Sequence, residues 1–371
     1  MLFVQILISF FFFGTGEKKY PLEDISLECL GLNNEKAVDI ASQQDPWICD
    51  CANRTPITIS GNTSALSDFQ VKLTVPSTPG INNTYSNILF TDSTKSSVID
   101  HWVQAHNSTE GTVWVEVPDI PISGTTIYMY YNGCGSSGNA SEVFDYFNDF
   151  DSTTGITDFR NGDFSVETYD GRSVIRKENQ CDPNGAEIVL GFNFDDFIFI
   201  ALGTRPNDGS SNSGCGLDRY GVENSSNNGY SLRRNGHSGN DFGVERRRNG
   251  GGGNYVSTSL SPSIPRDTFV ITELRRCSSS NTNQAEIFEA DGTSIASVTS
   301  SISNHNYSNF DRILIHGGHD YLLDYVGLAK NSCSYPSYAF QTNETFSCDR
   351  RILVNPFVAT RLRGNKRIIT N

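Results

Sequence analysis

Long apolar runs are almost missing from this 371-residue chain. Past residue 13, none approaches the ~20 residues that a membrane-spanning helix needs, so no stable span is expected there. The motifs of common catalysis and nucleotide chemistry are missing too: there is no G-x-S-x-G elbow, H-E-x-x-H, Walker P-loop or EF-hand loop. Basic residues are in the minority, 28 Lys and Arg against 42 Asp and Glu, giving a formal charge of −14. Such a balance offers no general basic face for phosphate neutralisation and excludes a general nucleic-acid binder. No segment carries the Ala/Leu/Glu/Lys richness of a long amphipathic helix. Thr, Ser, Asn and Gly are abundant instead, with 23 Phe and 15 Tyr, which favours strands.

The apolar run that does occur, "LFVQILISFFFF" at residues 2–13, precedes Gly14, Thr15 and Gly16 and is expected to be a secretory signal over residues 1–16. Eight N-x-S/T sequons point to the same compartment: Asn53, Asn62, Asn82, Asn107, Asn139, Asn224, Asn306 and Asn343. Nine cysteines lie scattered rather than in paired C-x-x-C units, which favours disulfides over zinc. Cys49 and Cys51 are too close to bridge each other without strain, leaving Cys29 and Cys134 as candidate partners. Cys333 and Cys348 are placed to close a local loop, and the odd count leaves one thiol over.

Residues 17–45 form a polar lead segment with a short helical stretch in "NNEKAVDIASQQ". Period-two alternation then begins. "TPITIS", "DFQVKLTV", "SNILFTD", "VIDHWVQA", "TVWVEV" and "TIYMYYN" follow one another with Pro, Gly, Asn and Ser between them, the pattern of an antiparallel sandwich over 46–145. A second β unit is expected over 146–340. Its strands include "FSVETYD", "SVIRKEN", "AEIVLGF", "FIFIALGT", "TFVITELRR" and "YLLDYVGLAK", and Asp291-Gly292 marks a hairpin turn. In its middle lies a Gly/Asn/Ser/Arg-rich region, residues 207–255, where "YGVEN", "YSLRR" and "FGVERR" read as short strands of meandering hairpins. Residues 341–371 form a tail that from residue 349 onward carries six basic residues and one acidic one.

Several of these stretches carry a family resemblance. Trp47, "RTPITIS", "DFQVKLTV", "NILFTDSTKSSVIDHWVQ", "GTVWVEVPDIP", "TTIYMYYNG" and "VFDYFNDFD" resemble, in order and spacing, the domain of unknown function DUF2341, from about Trp47 to Asp151. The chain departs from that pattern in "PWICDCANRTPITIS", which is stretched and carries two cysteines, and in "YYNG", where the family commonly has Y-Y-G-N. Proteins with this domain often continue into a concanavalin A-like, laminin-G-like jelly roll, and "FNDFD" and "YLLDYVGLAK" look like parts of one. The resemblance implies an all-β chain of two antiparallel sandwiches, the second a concanavalin A-like jelly roll. It also implies surface or extracellular placement, and supplies no catalytic residue.

Candidate site residues cluster in the arginine-rich hairpins. Arg233, Arg234, Arg246, Arg247 and Arg248 would concentrate positive charge on an acidic protein, suited to carboxylated or sulfated glycans, with Tyr220, Tyr230 and Tyr255 as stacking platforms. The plainer alternatives are that the arginines neutralise Asp218, Glu223, Asp241 and Glu245 and that the tyrosines pack the core. Asp145, Asp149 and Asp151 could take Ca²⁺, but no ligand loop surrounds them and no cofactor is expected. "HGGHD", residues 316–320, reads as a turn between strands rather than a metal site. Glu286, Glu289 and Asp291 read as solvated hairpin charges, since residues three apart face opposite sides of a strand.

The expected role is recognition without catalysis by a secreted or surface protein, its partner a glycan or an extracellular protein. A structural surface or assembly subunit is the next alternative. A polysaccharide hydrolase or lyase is the third and would require two facing carboxylates in a cleft.

Overall fold

The structure, a computed structural model, describes residues 48, 51–159, 164–177, 185–206, 217–235, 241–249, 251–300, 307–317 and 321–345. The expected signal, the helical stretch of the lead segment and the tail beyond residue 345 lie outside the described residues. The chain opens with β1 (Asn53–Ile59), β2 (Leu66–Pro76), β3 (Ile88–Thr91), β4 (Val98–Ile99), β5 (His101–His106), β6 (Glu110–Ile120) and β7 (Thr125–Tyr131). A short helix, α1 (Ala140–Val143), capped by the Asn139 side chain, leads out of this group. There follow β8 (Tyr146–Asn148), β9 (Ile156–Phe159), β10 (Phe164–Tyr169), β11 (Arg172–Lys177), β12 (Gly185–Phe194) and β13 (Phe197–Thr204). The arginine-rich region supplies β14 (Leu217–Glu223), β15 (Gly229–Asn235), β16 (Asp241–Arg248) and β17 (Gly251–Ser259). The chain continues through β18 (Val270–Cys277), β19 (Thr282–Glu289), β20 (Ser294–Ser300), β21 (Phe310–Gly317) and β22 (Leu322–Lys330), and ends in β23 (Tyr338–Phe340) and β24 (Glu344–Thr345).

Every pairing described is antiparallel, and the fold is all-β. Four sheets form: β23-β1-β7-β3-β4 with β24 also on β1; β2-β6-β5; β10-β11-β22-β13-β18-β19-β20 with β8 on β22; and β17-β16-β15-β14-β21-β12-β9. Alternation decides how they stack. On β6, Val113, Val115 and Val117 point into a core shared with Ile57, Ile127 and Met129 of the first sheet. This pair of sheets is the first sandwich. The eight-stranded and seven-stranded sheets close a second core around Phe197, Phe199, Tyr220, Leu232 and Ile313, and form the second antiparallel sandwich. The Asp291-Gly292 hairpin forms as read: Gly292 takes φ +90°, and Asp291 accepts the Thr293 N–H at 2.9 Å.

A third core, not expected from the sequence, joins the two sandwiches. Trp114 of β6, Ala140, Val143 and Phe144 of the α1 region, and Ile198, Ile200, Ile271, Leu322 and Tyr325 of the eight-stranded sheet pack together. β13 is therefore buried on both faces, Phe197, Phe199 and Ala201 toward one core and Ile198, Ile200 and Leu202 toward the other. This is why "FIFIALGT" reads as an unbroken apolar run. The seam is also polar at one point. Lys72 of β2 is ion-paired with Glu273 of β18, which bonds Arg275 at 3.1 Å.

The chain's return path seals an edge. After β22 it crosses to the first sandwich, where Tyr335 Oη accepts from Lys72 N at 2.8 Å and Tyr338 Oη from Thr74 N at 2.7 Å. These hydroxyls occupy N–H groups on the outer edge of β2, which would otherwise invite another strand. β23 and β24 then pair with β1, so the boundary drawn in the sequence at 340/341 falls inside a segment that completes the first sheet.

Glu116 lies beside this seam. Burial first, then the charge of Asp68, pushes its carboxyl up to about 7; Asp100 and Asp145 add to the rise and Lys330 opposes it. Gln70 Nε2 bonds Glu116 Oε1 at 3.4 Å, and Lys330 Nζ lies 3.6 Å from Asp145. An acid whose pKa is higher folded than unfolded binds its proton preferentially in the folded state. Folding stability thus falls as pH rises from about 4.5 to about 7 and has lost this contribution above that window. Glu116→Gln is expected to leave stability at pH 5 nearly unchanged and to raise it by about 1–2 kcal/mol at pH 8, after allowance for solvent screening. Urea midpoints at the two pH values check this, and a variant no more stable at pH 8 than the parent would overturn it.

Candidate functional site

Strands β14, β15 and β16 lie side by side, so alternate residues sort the candidate arginines and tyrosines by face. Register places Tyr220, Leu232 and Val244 in one cross-strand row and Arg219, Arg233 and Gly243 in the next. The first row points into the core of the second sandwich and the second to the outer face of the seven-stranded sheet. On that outer face stand Arg219 and Glu223 of β14, Ser231 and Arg233 of β15, Glu245 and Arg247 of β16 and Tyr255 of β17. Gly221 sits among them because a Cβ there would collide with the Tyr230 carbonyl on β15.

The outer face is a network of ion pairs. Arg219 Nε lies 2.5 Å from Glu245 Oε2 and its Nη2 bonds Glu245 Oε1 at 3.3 Å, while Arg233 Nη1 reaches the same Oε1 at 3.5 Å. Arg247 is ion-paired with Glu223, each side chain 1% exposed. Arg219 and Arg233 keep 17% and 19% side-chain exposure. The Arg233 guanidinium lies 4.1 Å over the half-buried Tyr255 ring, whose hydroxyl bonds the Arg233 carbonyl at 3.4 Å. Burial lowers the pKa of Arg219; Glu245 opposes that, and the like charges of Arg247 and Arg233 reinforce it. Two cations therefore share one carboxylate at the part of the face that reaches solvent.

The sequence candidates divide accordingly. Arg233, Arg247 and Tyr255 share the outer face, and Arg248 is exposed at the end of β16. Tyr220, Tyr230, Arg234 and Arg246 do not: they lie on the core side, at 1%, 0%, 5% and 9% exposure. Tyr220 stacks on Tyr321 at 5.2 Å and accepts from Thr272 Oγ1 at 3.1 Å, the packing role that amphipathic tyrosines often fill. Adjacent arginines such as Arg233 and Arg234 must point to opposite faces of a strand, so a five-arginine patch cannot form. Arg219 was missed. It stands alone in "LDRYGVE", and only the pairing register brings it to Glu245.

Other candidates settle simply. Asp145 pairs with Lys330, whereas the Asp149 carboxylate accepts the Asp151 N–H at 3.4 Å, so these three acids are not gathered around one point. Among the described residues, no three His, Cys, Asp or Glu side chains are placed to hold a metal. His316 and Gly317 close β21, and Gly318 to Asp320 lie outside the described residues. Cys51 bridges Cys134. Cys333 bridges Cys277 rather than Cys348, with a Cα–Cα distance of 5.1 Å, because the return path lays Cys333 beside the end of β18. Cys29, Cys49 and Cys348 lie outside the described residues. Of the sequon asparagines, Asn82, Asn139 and Asn343 are exposed and Asn53, Asn107 and Asn224 half-buried. Asn62 is buried, its amide bonded to Ser332, and Asn306 lies outside the described residues.

Residues 84–173 match the family model described as a domain of unknown function, DUF2341. The match starts after β1 and β2 and runs into the β10–β11 hairpin, later at both ends than the motifs suggested. The chain is 30% identical over 207 residues to an uncharacterized protein, MJ1394, of Methanocaldococcus jannaschii, covering 52% of this chain and 20% of that one. It thus spans about a fifth of the length of the curated relative it matches. Among solved structures, a protein of unknown function, SO2946, from Shewanella oneidensis MR-1 is similar at 10% identity and TM-score 0.36, over 51% of this chain and 87% of that one. The Lotus tetragonolobus seed lectin is similar at 8% identity and TM-score 0.35, over 53% and 99%.

Proposed function

We propose that this is a secreted recognition protein whose jelly roll binds an acidic extracellular ligand, a carboxylated or sulfated glycan, on the outer face of its seven-stranded sheet. The observation that carries this reading is the Arg219–Glu245–Arg233 arrangement beside Tyr255. Two guanidinium groups hold one carboxylate and keep part of their surface open, leaving net positive charge and an aromatic ring on an otherwise acidic chain. Guanidinium pairs bidentately with carboxylate and sulfate, and a tyrosine ring adds a flat apolar platform. The paired disulfides fit an oxidising compartment. Glu223 and Glu245 share the same face, but each is engaged by arginine, which favours holding a ligand over cleaving one.

A glycan array that includes acidic polysaccharides tests the proposal, with the secreted protein beside Arg219→Ser/Arg233→Ser and Arg248→Ser variants. The expected result is binding to acidic glycans that drops at least ~10-fold in the double variant, the loss of about two charge-assisted contacts. It should be unchanged in Arg248→Ser and unaffected by removing Ca²⁺. Equal binding by the double variant, or no binding by folded, disulfide-intact protein, would overturn it.

A further inference from the structure

At the ends of β18, β19 and β20 the core face of the eight-stranded sheet stops being apolar. Leu274 gives way to Arg276, Ala285 to Asn283 and Val298 to Ser300, and register sets these three in one cross-strand row. Each is 1% exposed or less. From the facing sheet come Tyr230 and its cross-strand partner Arg246. The Arg276 guanidinium lies 4.4 Å over the Tyr230 ring, and the Tyr307 ring is 5.7 Å from Tyr230.

Among the described residues, the amide of Asn283 has no hydrogen-bond partner on either its oxygen or its nitrogen, and neither has the Ser300 hydroxyl. Buried polar groups are nearly always bonded, and leaving one unmade is costly. Asn283 lies on the same side of β19 as Ala285 and Ile287, so an apolar residue would fit the alternation. The donors of this row, the Asn283 amide nitrogen and the Ser300 hydroxyl, suit an occupant that accepts hydrogen bonds beside a guanidinium, whereas the amide oxygen is itself an acceptor and is not satisfied by it. Carboxylates that act on Arg276, Asp195 and Asp196, belong to the turn joining β12 and β13. Asp195 and Asp196 accept the backbone N–H groups of Asn309 and Ser278 at 2.6 and 2.5 Å.

We propose that Asn283 and Ser300, with Arg276 beside them and Arg246 and Tyr230 facing them, hold a small oxyanion, a carboxylate, sulfate or phosphate, sealed between the sheets as part of the fold. The site lies on the opposite side of the seven-stranded sheet from the glycan face, so either reading can fail alone. Full-length protein is compared in chloride, sulfate, phosphate and acetate at matched ionic strength by thermal melting. At least one oxyanion is expected to raise the wild-type Tm by about 5 °C in a saturable manner. Asn283→Leu should show only the non-saturating salt response common to proteins. Asn283→Asp brings its own carboxylate and should melt higher than wild type in chloride, with no oxyanion response. Comparing the four salts separates an inorganic anion from an organic carboxylate. Identical salt responses in wild type and Asn283→Leu, or Asn283→Asp less stable than wild type in every buffer, would overturn the proposal. Should Asn283→Leu not fold, ion chromatography of denatured wild type decides: about one oxyanion per chain supports it, and none, with water filling the site, sinks it.

Discussion

Glu273→Ala is expected to destabilise the fold by about 3–5 kcal/mol, the loss typical when one partner of a buried ion pair is removed. The carboxylate is wholly buried between the sandwiches, where Lys72 from β2 and Arg275 from β18 meet it. The Lys72 ammonium also lies 4.4 Å over the Phe288 ring and 5.8 Å over Trp114, so its surroundings are otherwise apolar. Removing the carboxylate would leave two largely buried cations, 16% and 22% exposed, without their shared counter-charge. Burial works against the charge of Glu273, yet Lys72 and Arg275 outweigh it and hold the carboxyl below the usual range. A depressed folded pKa contributes stability above the unfolded value of about 4.5, and that contribution is lost as pH falls through the folded one. The parent should therefore weaken at acidic pH more than the variant does. Arg172→Ala is the comparison, since the Arg172–Asp324 pair is 42% exposed on its arginine side and is expected to be worth under about 1 kcal/mol. Urea unfolding gives both values, and a Glu273→Ala loss no larger than that of Arg172→Ala would refute the account of the seam.

Strands were legible because each carries its own evidence. "TVWVEV" alternates since Val113, Val115 and Val117 meet one core, and "YGVEN", "YSLRR" and "FGVERR" became β14, β15 and β16. The layer between the sandwiches was not legible. Trp114 and Thr112 occupy what a lone sandwich would present to water, and a single tryptophan among valines does not announce a second buried face. Nor could the return of Tyr335 and Tyr338 to β2 be read, because it depends on where β22 ends in space rather than on any local pattern. At the candidate site the arginine-rich composition was legible in the sequence and the register was not. Arg233 and Tyr255 meet only through the order β17-β16-β15, and Arg246 turned inward because it pairs with Tyr230.

Trp114→Ala is expected to cost a further few kcal/mol, about 3–5 for a large aromatic removed from a filled core. Its reach is wider than its own cavity. The indole is fully buried, packs 5.2 Å from Phe144, and donates from Nε1 to Gln104 Oε1 at 2.9 Å. Gln104 in turn donates to Tyr325 Oη at 3.2 Å, and Trp102 meets Phe144, Phe147 and Tyr325 edge-on. Burial drives the Tyr325 hydroxyl's pKa upward, as expected for a phenol sealed from water. This chain of contacts runs from β6 through α1 to β22, so the alanine weakens the link between the sandwiches as well as the first sandwich itself. Unfolding should accordingly be one cooperative transition in a Trp47→Phe background, seen together by tryptophan fluorescence, which then reports Trp102 and Trp114 at the seam, and by far-ultraviolet circular dichroism, which reports every sheet. In Trp114→Ala the two probes should separate, with the remaining seam fluorescence lost at lower denaturant than the circular dichroism of the second sandwich. Coincident transitions in the variant would mean that the coupling is carried by Lys72, Glu273 and the tyrosines of the return path instead, and Glu273→Ala should then be the variant that splits them.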